Sequence, residues 1–153
     1  MSGSRDNLVQ GVVFSDLGRA GAFVGIDWVR NAVRERVGFD PYPGTLNVRA
    51  SGADLRRWEQ VRQHAGKIVL PSPDPAFCNA FLFTGFVQGW ESRTGSRERV
   101  AVVVPEVKEY PADKLEIIAA VSLKQAHSVQ DGDQLTVVFD GWPAGRLQER
   151  YRR

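Results

Sequence analysis

Apolar and polar residues alternate, or cluster in short β-branched runs, along most of this chain. The pattern predicts strands at "LVQGVVF" (8–14), "GAFVGI" (21–26), "TLNVRA" (45–50), "KIVL" (67–70), "FLFTGFV" (81–87), "RVAVVV" (99–104), "LEIIAAV" (115–121) and "QLTVVF" (134–139). Three stretches break that rhythm. In "DWVRNAVRERVG", Val29, Ala32, Val33 and Val37 fall on one helical face, with Asp27 as the expected cap and Gly38 as the stop. In "SGADLRRWEQVRQHAG", Ser51 and Asp54 have capping-box spacing, and Leu55, Trp58, Val61 and Ala65 form the apolar stripe. A short third helix is expected at "SLKQAH", where Ser122 and Gln125 repeat the box before the turn "QDGD".

Many short strands with few helices predict a mainly β fold, a closed or nearly closed β-barrel with helices over its openings. At 153 residues and 42% hydrophobic content, one domain spanning 1–153 is expected, ending in a short basic tail over about 141–153. That tail carries Arg146, Arg150, Arg152 and Arg153, which read as a solvated terminus. A net charge of +2 gives no ground for a nucleic-acid partner. No apolar run reaches the length of a membrane span and "MSGSRDN" has no secretory pattern, so a cytoplasmic location and no membrane partner are expected. Cys78 has no disulfide partner and reads as a buried small hydrophobe, while His64 and His127 lie too far apart for a zinc-type motif.

Candidate chemistry concentrates in three places. In "PYPGTLN", Pro41, Pro43 and Gly44 stiffen and turn the chain before Thr45 and Asn47, whose i, i+2 spacing sends both side chains to one face of an extended segment. A hydroxyl and an amide oxygen are hard, neutral ligands suited to phosphate-bound Mg²⁺, although a turn satisfying its own backbone explains the same residues. The loop "SDLGRAGAF" contains Gly18 and Gly21 but fits neither the Walker nor the dinucleotide pattern. Glu116 heads an apolar strand, and Lys124 sits beside a helix start; a base or a donor-holding carboxylate and a plain solvated strand-edge residue are both open for Glu116.

Taken in order, the loop after the first strand, "GFDPYPGTLNV", "YPADKLEIIAAVSLK" and "DGDQLTV" resemble the archaeal-type CTP-dependent riboflavin kinases over roughly residues 10–140. The resemblance implies a cradle-loop barrel that transfers the γ-phosphate of CTP to the ribityl hydroxyl of riboflavin, giving FMN and CDP. It places Mg²⁺ on Thr45 and Asn47. It puts the nucleotide along Leu17, Gly18, Arg19, Ala20, Gly21 and Ala22 and against Val121, Ser122, Leu123 and Lys124. Flavin contacts would fall at Lys108 and Glu116, with Glu116 also the candidate to orient or deprotonate the attacking hydroxyl. The chain departs from the family outline at three points: "DLGRAG" stands for "GxGEG", Lys108 for Thr, and "IIAAVSLK" for "IIAP" followed by "NLR". A kinase of another small alcohol, and a non-catalytic barrel binding nucleotide, flavin or nucleic acid, stay open beside the riboflavin kinase.

Overall fold

The computed structural model describes residues 7–16, 23–76, 78–91 and 97–140. Seven strands form one antiparallel sheet: β1 (Leu8–Phe14), β2 (Leu46–Arg49), β3 (Ile68–Leu70), β4 (Ala80–Glu91), β5 (Arg97–Pro105), β6 (Lys114–Ala119) and β7 (Gln134–Phe139). The strand order is β3-β4-β5-β6-β2-β1-β7, and a further pairing of β4 with β7 closes six of them into a barrel, leaving β3 outside. Closure needs two backbones to approach closely at the seam. Gly85 stands opposite Phe139 there, and a Cβ on it would lie 2.2 Å from the Val138 carbonyl oxygen.

Among the described residues three helices have full ranges: α1 (Asp27–Val37), α2 (Gly52–His64) and α3 (Leu123–His127). Strand alternation divides the apolar residues into two clusters. Inside the barrel, Val9, Val13, Leu46, Val48, Phe83, Val100, Val102, Leu115, Ile117, Val137 and Phe139 pack with Trp58 and Val61 of α2 and Leu123 of α3. Trp58 is fully buried, stacked on Phe139 with centroids 5.5 Å apart and edge-on to Phe83 at the same distance. The second cluster lies outside the wall, where Val29, Val33 and Val37 of α1 cover Leu82, Ala101, Val103 and Ile118. α1 therefore packs against the outer wall, not over an opening as expected, because β4, β5 and β6 are apolar on both faces and both need cover.

Most predicted elements appear within a residue or two, and the exceptions are informative. No strand forms over 23–26: Val24 is buried in the outer cluster, and the Ile26 amide bonds back to the Phe23 carbonyl at 3.1 Å in the turn that starts α1. A short apolar run specifies burial without specifying conformation. Residues 21–22 of that predicted strand lie outside the described residues. Ile26, not Asp27, holds the N-cap position of α1, and Asp27 contributes its charge to the first turn. Gly38 ends the helix as expected, at φ 95°. Ser51 caps α2 by position but makes no side-chain cap bond, and Asp54 instead accepts from the Gln10 amide at 2.9 Å, fastening α2 to β1. Ser122 does cap α3, accepting from the Gln125 amide. Cys78 is half-buried, so the expectation of a buried thiol is corrected: the chain around it lies before β4 begins, outside the apolar strand.

Candidate active site

The site is built on the outer face of β2 and β6. In these strands Leu46, Val48, Leu115 and Ile117 point into the barrel, so Asn47 and Glu116 point out, and the register sets Asn47 directly opposite Glu116. Both polar residues are nonetheless buried, Asn47 to 5% exposure and Glu116 to 2%.

Thr45 completes this arrangement from the loop before β2. The loop is tied down at both ends: the Tyr42 amide donates to the Ala119 carbonyl of β6 at 2.8 Å, and the Gly44 amide donates to the Tyr42 carbonyl at 2.8 Å. Thr45 Oγ1 then lies 3.2 Å from Asn47 Oδ1 and 3.2 Å from Glu116 Oε2. Three oxygens meet with one hydroxyl proton among them, and that proton can serve only one acceptor at a time. Such a proton-poor oxygen cluster is a suitable donor set for a hard divalent cation that keeps part of its water shell.

The other carboxylate oxygen of Glu116 is taken up by different partners. Tyr110 donates its hydroxyl to Oε1 at 2.5 Å, and the Lys114 ammonium lies 3.2 Å from the same oxygen. Lys114 also pairs with Asp16 at 2.5 Å. Burial, the hydrogen bond to Glu116 and the Glu116 charge push the Tyr110 phenol far above its ordinary pKa, so it stays a donor. Burial pulls the Lys114 ammonium down, but the Asp16 hydrogen bond and the Glu116 charge outweigh it and leave its pKa raised. Among the described residues the hydrogen bond to Oε2 comes from Thr45, so this is the oxygen turned toward Thr45.

Beside this cluster runs a cleft of about 190 Å³ lined by Tyr42, Gly44, Thr45, Leu46, Ile117 and residues Val121 to Lys124. Thr45 is common to the cleft and the polar cluster. Of the predicted nucleotide residues, Val121 is exposed at the cleft, Ser122 caps α3 there, and Leu123 turns its side chain into the core, leaving only its backbone for a ligand. Lys124 Nζ reaches Ser15 Oγ at 3.5 Å and Asp131 at 3.9 Å, joining α3 to the end of β1. The Leu17 to Ala22 loop lies outside the described residues. Lys108 is exposed in the connection between β5 and β6, and Tyr110, two residues on, is the residue from that connection which reaches Glu116.

Of the two readings open for Glu116, the plain solvated strand-edge residue is overturned by its burial and by its register with Asn47 on one side and Val103 on the other. Sequence reading missed Tyr110, Lys114 and Asp16. Lys114 was within reach, since it stands two residues before Glu116 on the same strand face. Tyr110 and Asp16 carry no periodic signal because both lie in loops. Among the described residues no group of three or more His, Cys, Asp or Glu is placed to hold a metal ion.

Comparison with known proteins adds a family to this geometry. The family model CTP-dep_RFKase, described as a domain of unknown function, DUF120, matches residues 13–139. The chain is similar to the riboflavin kinase of Archaeoglobus fulgidus, 31% identical over 131 residues, covering 84% of this chain and 53% of the relative. It is 33% identical over 127 residues to that of Pyrobaculum aerophilum, covering 83% of this chain and 58% of the relative. Against that of Methanoculleus marisnigri it is 31% identical over 136 residues, covering 87% of this chain and 57% of the relative. The chain spans little more than half the length of these curated relatives. No helix among the described residues is long and apolar enough to cross a membrane.

Proposed function

The chain belongs to the CTP-dependent riboflavin kinase family, and from that premise we propose that it transfers the γ-phosphate of CTP to the ribityl hydroxyl of riboflavin, giving FMN and CDP. The observation that carries this reading is Thr45, which stands both in the cleft leading to Ser122–Lys124 and in the oxygen cluster with Asn47 and Glu116. A donor in the cleft and an acceptor at Glu116 would meet at that residue.

In this reading Thr45 and Asn47 would hold Mg²⁺, which would supply positive charge against the negative charge that develops during transfer. The Pro/Gly frame around Thr45 has its two backbone bonds made before any ligand arrives, so ordering the ligands costs little on binding. Glu116 Oε1 is occupied by Tyr110 and Lys114, which leaves Oε2 to accept the attacking hydroxyl and take its proton as the new O–P bond forms. The β–γ phosphate bond breaks in the same step and CDP leaves. The nucleotide lies along residues 17–22 and against Val121, Ser122, the Leu123 backbone and Lys124. Lys108 and Glu116 contact the flavin substrate. The 1–153 chain acts as one domain in this reading.

Incubating the purified protein with riboflavin, Mg²⁺ and each of CTP, ATP, GTP and UTP, and following FMN by chromatography, tests the proposal. FMN with CTP is expected. Absence of FMN with all four donors would sink it, and formation from ATP at the same rate would overturn the nucleotide preference alone.

A further inference from the structure

Lys114 links two parts of the site that are remote in sequence. Its ammonium lies 2.5 Å from Asp16 Oδ2 and 3.2 Å from Glu116 Oε1, and its side chain is only 12% exposed. Asp16 follows the end of β1 by two residues, whereas Glu116 sits in the middle of β6. The Tyr110 ring adds a third contact, with Lys114 Nζ 5.6 Å from its centroid, while the Tyr110 hydroxyl bonds to Glu116. An ammonium removed from water is tolerated only when its charge is matched, and here two carboxylates from separate segments match it. Its position is therefore determined by both of them together.

We propose that Lys114 is a positioning residue that fixes where the chain leaves β1 relative to the Glu116 carboxylate, holding the nucleotide side of the site in register with the acceptor side. The naming of the two sides rests on the phosphotransfer reading above; the mechanical link between them rests on Lys114. Asp16 is 37% exposed by side chain, so its ion pair with Lys114 adds little to stability.

Two measurements test this. In ligand-free protein, the ¹³Cδ carboxylate resonance of Glu116 is followed by NMR in the wild type, Asp16→Asn, Lys114→Met and the double variant. Asp16→Asn is expected to move that resonance in the wild-type background and to leave it in place in the Lys114→Met background. No movement on Asp16→Asn, or equal movement in both backgrounds, overturns the link. In the kinase assay, Asp16→Asn is expected to lower kcat about tenfold, with either KM changing less than about twofold and the unfolding midpoint unchanged. Lys114→Arg should recover more kcat than Lys114→Met. An unchanged kcat in Asp16→Asn overturns the positioning role. If the wild type forms no FMN with any donor, it is the phosphotransfer reading that fails, and the NMR comparison still decides the link.

Discussion

The inner and outer faces of β2 and β6 are made by alternate residues of the same two short strands, yet they follow different rules. Inward, Leu46, Val48, Leu115 and Ile117 join an apolar core in which shape is the main requirement. Outward, Asn47 and Glu116 are just as hidden from water but are joined by specific hydrogen bonds through Thr45, and the partly exposed Lys114 pairs with the Glu116 charge. The outer face is not polar throughout, because Ile118 and Val103 return to the apolar cluster under α1. The polar patch occupies the part of the wall that α1 leaves for the Tyr42–Thr45 loop and for Tyr110. A barrel can thus take its stability from one face and place its chemistry on the other, and substitutions on the two faces should separate.

The largest effect is expected inside. Trp58→Ala removes the ring stacked on Phe139 and should cost about 3–5 kcal/mol in urea unfolding, enough to leave the native state marginal. A loss below 1 kcal/mol would mean that α2 is not integral to the core. Outside, Glu116→Gln keeps size and most hydrogen bonds but removes the charge; turnover should fall about 100- to 1000-fold while the urea midpoint moves little. If stability fell as far as it does in Trp58→Ala, the contrast between the faces would collapse. At the seam, Gly85→Ala forces a methyl against the Val138 carbonyl and should destabilise by about 1–3 kcal/mol, read as a lower melting temperature. Thr45→Ala and Asn47→Ala should each lower turnover about tenfold and raise the Mg²⁺ concentration needed for half-maximal rate, with the fold intact. Unchanged Mg²⁺ dependence in both variants would remove the cation from those residues.

The smallest effect tests an exposed charge beside α1. Asp40 sits against Arg30 and Arg34, and the Arg30 hydrogen bond, with Arg34 adding to it, holds its carboxyl below the ordinary value. A depressed folded-state value means that this contribution is present above the unfolded carboxylate pKa and disappears as pH falls through the folded one. The stability gap between the wild type and Asp40→Asn should accordingly be small at neutral pH and close below about pH 4. A gap that persists at lower pH would show that the effect is not ionic.

Much of this was legible from residue order. Alternation located the seven strands, the 3.6-residue stripes located α1 and α2, and "PYPGTLN" drew attention to Thr45 and Asn47 before any geometry was known. The failures share a cause. Residues 23–26 are apolar because the outer cluster needs them, a requirement that a helix-leading turn meets as well as a strand does. Asp54 has the spacing of a cap, but the Gln10 amide was the better-placed donor once α2 had docked on β1. The solvated alternative stayed open for Glu116 because its cover comes from Tyr110 and the loop carrying Thr45, neither of which is adjacent on its strand.

The sequence by itself determined which residues could be buried, where strands and helices would run, and that a rigid turn would present a hydroxyl and an amide on one face. Those are local consequences of backbone stiffness and periodicity, acting within a few residues. Only the tertiary structure decided that Asn47 stands opposite Glu116, that the Thr45 hydroxyl lies within reach of both, and that Lys114 reaches Asp16 from 98 positions away. Register and barrel closure set those pairings, and both depend on the whole sheet finding a single arrangement that buries its two apolar faces together.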